Sequence, residues 1–157
     1  MSQQGIISAA TTRRVVTGLD DQGRSCVVID GAVPAMSEAG GMIWRTDGVP
    51  ADNAGNADPC GVPWSIDLMQ GGGSTFMVVD FPPGMPGFLH ATDTLDYVIV
   101  LKGEVVLELE SGEVTCRAGD CIVDRGVVHS WRNDSTSVAT IATVTLPAHP
   151  VGKGRTV

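Results

Sequence analysis

The stretch GMPGFLHATDTLDYVIVLKG spans residues 84–103, and GDCIVDRGVVHSWRN follows it at residues 119–133. From Phe76 onward, short β-rich runs are separated by turn pairs such as Lys102-Gly103 and Ser111-Gly112. Closely spaced strands with such short connections are typical of antiparallel hairpins that close into a barrel. No long run keeps a helical period, so we predict an all-β protein with less than about a tenth of its residues in α-helix.

The predicted strands extend beyond these two stretches toward both ends of the chain. Runs rich in β-branched and other apolar residues, bounded by turn residues, define each strand. They are Arg13–Gly18, Ser25–Ile29, Gly41–Arg45, Phe76–Asp80, Asp96–Leu101, Glu104–Glu110, Glu113–Arg117, Asp120–Asp124, His129–Arg132 and Val138–Leu146.

Length and composition indicate a single globular domain. The chain has 157 residues, of which 43% are hydrophobic and 18% charged, and this balance excludes a disordered chain. The net charge of -8 and the scattered basic residues argue against a nucleic-acid partner. The sequence has no apolar run long enough to span a membrane, and we expect no signal peptide. Its four cysteines lack CxxC spacing. We therefore expect reduced thiols, a cytoplasmic location and no membrane partner.

Within this one domain we distinguish three parts. Residues 1–75 hold N-terminal strands and a Gly/Pro-rich loop that pack on the barrel, residues 76–147 form the barrel core, and residues 148–157 form a flexible tail. The loop, Val49–Gly73, is expected to be a lid or an edge cover. The strands around Arg13–Ile29 would leave exposed sheet edges, so we predict a homodimer in which they pair on or pack against a neighbouring barrel.

A polar pocket is predicted at one end of the barrel. If residues 90–100 run extended, alternation places an imidazole, two hydroxyls and a carboxylate on the face of the apolar core. These side chains belong to His90, Thr92, Thr94 and Asp96. By the same alternation His129 and Trp131 share a face, so Trp131 is expected to line the pocket beside His129. By that alternation Arg132 points away from the pocket.

The two stretches resemble the two motifs of the cupin superfamily. The first motif is matched by Gly84, His90, Thr92, Asp96 and Gly103, and the second by Gly119-Asp120, Gly126, His129 and Asn133. The resemblance covers residues 84–133. It implies a double-stranded β-helix, or jelly roll, that is often a homodimer and binds a metal between the two motifs.

This sequence departs from the family pattern in the spacing of the second motif, which is one residue tighter between Gly119 and Gly126, and at three residues. Thr92 stands at the usual second histidine, Asp96 at the usual glutamate, and Asp124 where proline is common. The resemblance then implies a site of His90, Asp96 and His129, acting as both metal ligands and catalytic residues, with Thr92 a non-ligand or water-holder. Two imidazoles and a carboxylate suit a divalent transition metal such as Fe, Zn, Mn or Ni. The alternative is that both histidines are hydrogen-bonded pocket residues of a barrel without metal.

Two functions stay open at this point. The first is a metal-dependent enzyme that acts as a Lewis acid on a small organic substrate with a carbonyl, enol or carboxylate oxygen, aromatic substrates included. Isomerase, cyclase, lyase and dioxygenase chemistry all suit such a site. The second is a metal-free barrel that binds a small ligand without catalysis.

Other ring-bearing residues are assigned outside the site. His149 lies between prolines in the terminal segment, and such a residue is usually solvated. Trp44, Phe88 and Tyr97 are expected in the core, where most aromatic residues of a small barrel lie.

Overall fold

The computed structural model describes residues 7–157. Within this range the strands are β1 (Arg13–Leu19), β2 (Ser25–Ala32), β3 (Ala35–Ser37), β4 (Gly40–Arg45), β5 (Thr75–Phe81), β6 (Thr94–Lys102), β7 (Glu104–Leu109), β8 (Gly112–Arg117), β9 (Cys121–Asp124), β10 (His129–Arg132) and β11 (Ala139–Pro147). The same range contains a 3-10 turn at Ala9–Thr11 and one α-helix, α1 (Asp67–Gln70). The prediction of an all-β protein with little helix is confirmed.

The barrel consists of two antiparallel sheets that share one core. Six strands lie in the order β3-β4-β5-β11-β6-β9, and three lie in the order β10-β7-β8. Both sheets supply the buried core, whose members are Phe81, Val98, Val100, Val105, Leu107, Cys116, Ala139 and Ile141. Burial of these apolar side chains between the sheets provides the main driving force for closing the barrel.

The strand boundaries follow the predicted ones closely, because alternation and turn residues are local signals. Three elements were not predicted: the 3-10 turn at Ala9–Thr11, strand β3 and helix α1. Strand β3 has three residues, too few for a period of two to be recognised. Helix α1 has four residues and no side-chain N-cap, and it lies inside the predicted loop.

The N-terminal hairpin forms a separate two-stranded sheet of β1 and β2. Arg14 on β1 anchors it: its Nη1 donates to the Ile43 carbonyl of β4 at 3.1 Å, and its guanidinium pairs with Asp58. A groove of about 1010 Å³ lies between the hairpin, β4 and residues 46–59. Eight of the 25 residues of the predicted lid, all between Pro50 and Pro59, line this groove.

The C-terminal segment lies beside the chain that leads into β6. The Thr156 amide donates to the Ala91 carbonyl, and the Ala91 amide donates to Thr156 Oγ1, both at 2.9 Å. The Arg155 amide donates to Asp93 Oδ1 at 2.9 Å. The flexibility of residues 148–157 and the three-part division stay predictions, and residues 1–6 lie outside the described range.

No helix within residues 7–157 has the length and apolar character needed to cross a membrane. The cytoplasmic location and the absence of a nucleic-acid partner stay predictions from composition.

Asn133, at the end of the second motif, joins the chain after β10 to β5. Its side chain is fully buried and its Nδ2 donates to the carbonyls of Phe81 at 2.7 Å and Ser137 at 2.8 Å. Its Oδ1 accepts from the amide and the hydroxyl of Ser135. All of its hydrogen-bonding capacity is therefore used inside the protein.

We expect Asn133→Ala to lower the free energy of unfolding by about 3 kcal/mol, because buried carbonyl groups lose their donors. Urea titration measures this change. Asn53→Ala, at an exposed loop position, is the matched control and should change stability by less than about 0.5 kcal/mol. Equal stability of the two variants would contradict a structural role for Asn133.

Candidate active site

A cavity of about 120 Å³ lies inside the barrel near the two motif histidines. Its walls are Met69, His90, Thr92, Asp96, Val98, His129, Trp131, Ile141 and Thr143. His90, Thr92, Asp96, His129 and Trp131 are thus brought together as the sequence predicts. Four further lining residues were not predicted. Met69, Ile141 and Thr143 lie outside both motifs, and Val98 was interpreted as an ordinary core residue.

Strand β6 and the residues before it place one wall of the cavity. Alternation along this segment buries Thr92, Thr94 and Asp96, while Tyr97 stays 47% exposed. Thr94 does not line the cavity, and its Oγ1 instead lies 2.7 Å from Thr92 Oγ1 in a buried hydrogen bond. Thr94 therefore orients Thr92, the hydroxyl that stands at the family's usual histidine.

His90 and His129 face each other across a short antiparallel bridge. The amide of each donates to the carbonyl of the other at 2.9 Å, and their ring centroids are 4.6 Å apart. Nδ1 of His90 lies 2.7 Å from the Phe88 carbonyl, and Nδ1 of His129 lies 2.9 Å from the Val127 carbonyl. A carbonyl only accepts, so Nδ1 donates in both rings, and Nε2 is the nitrogen that bears the lone pair when the ring is neutral.

A glycine allows the chain before His129 to lie close to β6. Gly126 has φ +74, and a Cβ there would lie 2.7 Å from the Thr92 carbonyl and 2.9 Å from the Thr94 carbonyl. Any other residue would meet both backbone strain and a clash. The glycine of the second motif thus sets the separation between the two walls of the cavity.

Asp124 is a site residue that the sequence reasoning did not select. Its Oδ2 lies 2.8 Å from Nδ1 of His129, and the two side chains are only 3% and 4% exposed. Its Oδ1 accepts from the Gly126 amide at 3.0 Å, and its backbone stands opposite Asp96 in the β6–β9 register. The only sequence signal was an acid in place of the common proline, and that signal does not reveal the contact.

The surroundings shift the proton affinities of Asp96 and His129. Burial raises the pKa of Asp96 to about 6; a hydrogen bond with Thr94 opposes this rise, and the charge of Asp124 adds to it. Oδ1 of Asp96 is buried without a hydrogen-bond partner in the described residues. Burial lowers the pKa of His129, but the Asp124 contact and the Val127 carbonyl outweigh it, so the pKa is raised overall. The cavity therefore holds two groups suited to exchanging protons near neutral pH.

The predicted metal ligands do not assemble into a metal site in this geometry. Within residues 7–157, no three His, Cys, Asp or Glu side chains form a group that could hold a metal ion. Thr92 offers a hydroxyl that is already bonded to Thr94. His90, Asp96 and His129 line one cavity without forming a three-ligand group, so their role as metal ligands stays a prediction.

Comparison with known proteins identifies the family. A family model described as "Cupin domain" matches residues 77–145. "Phomopsin biosynthesis cluster protein C'" from Diaporthe leptostromiformis is 34% identical over 153 residues, covering 90% of this chain and 81% of the relative. "Cupin-domain-containing oxidoreductase fogC" from Aspergillus ruber is 30% identical over 145 residues, covering 83% and 68%. This chain belongs to the cupin family.

The resemblance to cupins and the predicted jelly-roll barrel are thus confirmed. Among solved structures, that of TT1209 from Thermus thermophilus is 26% identical, with a TM-score of 0.43 over 48% of this chain and 73% of that one.

Residues assigned outside the site follow the expected pattern in part. Arg132 of this cupin points outward, where Nη2 lies 2.7 Å from Glu113, and His149 is exposed. The expected core position is wrong for Phe88 and Tyr97, which are 66% and 47% exposed. Phe88 stacks on the His90 ring from outside the core, and Tyr97 occupies an outward position of the β6 alternation.

Proposed function

We propose that this cupin is an enzyme of secondary metabolism that moves protons on a small organic substrate bearing a carbonyl or enol group. One observation carries the proposal: His129, which lies beside the buried Asp124 carboxylate, lines the same cavity as Asp96, whose pKa is about 6. Relatives named for biosynthesis clusters and for oxidoreductase activity support an enzymatic role.

His129 would act as the acid, because its raised pKa keeps the imidazolium populated near neutral pH. Nδ1 faces Asp124 and Val127, so Nε2 is the nitrogen available to a bound molecule. Nε2 gives its proton to the substrate carbonyl oxygen, and the Asp124 carboxylate stabilises the imidazolium before this transfer.

Asp96 would act as the base, because a pKa of about 6 leaves its carboxylate mostly ionised at neutral pH. It takes a proton from the carbon next to the carbonyl, so the C–H electron pair forms the new C=C bond, the C=O π pair moves to the oxygen, and a ketone or aldehyde becomes an enol. In a β,γ-unsaturated substrate, transfer of the Asp96 proton to the γ-carbon and return of the enol O–H proton to His129 complete an isomerisation. His90 and Thr92 line the same cavity and orient the substrate oxygen by hydrogen bonds.

The metal-dependent reaction expected from the family resemblance stays a prediction, as does the metal-free binding barrel. The three functions differ in what they require of the same residues. Acid–base chemistry requires free His129 and Asp96, Lewis-acid chemistry requires a stoichiometric metal, and a binding barrel requires neither.

The test is hydrogen–deuterium exchange at carbon, followed by ¹H NMR. Purified full-length protein is incubated in D₂O with cyclohexanone or acetophenone, with and without EDTA. We expect loss of the α-proton signal at least about tenfold faster than in buffer, unchanged by EDTA. Exchange that EDTA abolishes, with one metal per chain by elemental analysis, would favour the Lewis-acid function. Shifted protein signals without exchange would favour the binding barrel.

We further infer that the protein is a homodimer through its N-terminal hairpin. A two-stranded hairpin is marginal by itself, and Val15, Leu19 and Val27 on this one are about half exposed. A second copy would cover both these side chains and the free strand edges. Sedimentation equilibrium at micromolar concentration should give about twice the chain mass of 16.3 kDa. A mass of one chain would contradict the dimer, and Val15→Ser with Leu19→Ser should shift it toward the monomer.

A further inference from the structure

Among the described residues that line the cavity, only Met69 lies outside the barrel strands and the segment leading into β6. It lies on α1, in the long connection between β4 and β5, and α1 packs against β11. The other walls belong to the barrel core and its motifs. The sequence of this connection therefore controls one side of the cavity independently of the barrel.

The volume of the cavity and the distribution of its polar residues suit a ligand with one six-membered ring. Its volume of about 120 Å³ is close to that of cavities that hold a single benzene molecule, roughly 150 Å³. Met69, Val98, Trp131 and Ile141 supply apolar walls, whereas His90, Asp96 and His129 supply polar ones. A six-membered ring with one oxygen substituent matches this division.

The C-terminal segment holds α1 in place. Gln70, next to Met69, donates through Nε2 to the Val157 carbonyl at 2.6 Å, and its Oε1 accepts from Nη1 of Arg155 at 2.8 Å. The same segment is hydrogen-bonded to Ala91, the neighbour of His90. Met69 is therefore tied to the segment that carries the first motif.

We propose that Met69 sets the upper size limit of the ring that this cavity accepts. The substrate class is then a single-ring carbonyl or enol compound, including phenols, and fused rings are excluded by the Met69 side chain. The reaction assigned to this substrate rests on the proposed function, but the size limit concerns binding alone. Methionine can be replaced by a smaller side chain here without disturbing either motif.

The test compares binding of phenol and 2-naphthol, followed by the Hε1 signals of the histidines in ¹H NMR. His149→Gln assigns the signal of the exposed histidine. In the wild type, phenol should shift the His90 and His129 signals, and 2-naphthol should bind at least about tenfold more weakly. Met69→Ala should remove most of this difference, mainly by tightening 2-naphthol binding. Met69→Leu, which nearly conserves volume, should restore it.

Leu68→Ala is the matched control, because Leu68 lies on the same helix and does not line the cavity. It should leave the phenol-to-naphthol ratio unchanged. If Met69→Ala and Leu68→Ala give the same ratio, or if neither probe shifts His90 and His129 in the wild type, the size limit is wrong. Failure of carbon exchange with an intact size limit would instead overturn the proposed reaction alone.

Discussion

His129→Gln is expected to slow carbon–hydrogen exchange on a bound carbonyl compound by about 10²–10⁴-fold, the usual contribution of a positioned general acid. Glutamine keeps a polar group of similar size but has no titratable nitrogen to give the proton. The measurement is the α-proton exchange rate by ¹H NMR in D₂O. His149→Gln is the matched control, since His149 is exposed and absent from the cavity walls, and its rate should equal that of the wild type.

A second variant separates chemistry from simple loss of structure. Asp124→Asn retains an oxygen for the Gly126 amide but removes the charge beside His129. Because the Asp124 contact raises the pKa of His129, we expect that pKa to fall in the variant, which NMR titration of the ring detects. The pH–rate profile should move in the same direction. A full exchange rate in His129→Gln would remove His129 from the mechanism.

Relative to the wild type, Asp96→Asn is expected to raise the free energy of unfolding by about 3 kcal/mol more at pH 8 than at pH 4. Burial raises the pKa of Asp96 from 3.8 to about 6, so the folded state holds this proton more tightly than the unfolded state does. The resulting stability is fully present below pH 3.8 and is lost as pH rises through about 6. A shift of about two pKa units corresponds to about 3 kcal/mol, and asparagine carries no charge to be buried.

Urea unfolding of both proteins at pH 4 and pH 8 gives this difference directly. The pKa of His129 is also raised, so its contribution to the free energy of unfolding falls as pH rises. This contribution is present in both proteins and therefore largely cancels in the comparison. Asp52→Asn, at an exposed loop position, is the control and should show nearly the same small change at both pH values. If Asp96→Asn changes stability equally at pH 4 and pH 8, the pKa of Asp96 is not raised and Asp96 is not the proposed base.

Much of the barrel and part of the cavity could be predicted from sequence because their signals are local. The period of two along β6 and the residues before it places Thr92, Asp96 and Val98 on one face without knowledge of any partner strand. Strand β10 begins at His129 and ends at Arg132 as predicted, since Gly126 marks the turn before it. The spacing of both motifs was sufficient to indicate the family, which the comparisons confirm.

The chemistry of the cavity depended on distances between residues far apart in the chain. The β6–β9 register brings Asp124 opposite Asp96, and the bridge between His90 and His129 joins the two motifs. Burial of Asp96, and hence its raised pKa, follows from packing of both sheets around it. Motif spacing indicates which residues come near one another, but it does not show which histidine nitrogen faces which carbonyl or carboxylate oxygen.

Alternation by itself therefore determined the all-β barrel and most of the cavity's polar residues. Tertiary structure alone decided that Asp124 pairs with His129, that the predicted metal ligands do not form a cluster within residues 7–157, and that Met69 closes one wall. The physical reason is that strand periodicity is a property of neighbouring residues, whereas pKa values, ligand geometry and cavity size depend on side chains that only the folded register brings within a few ångströms.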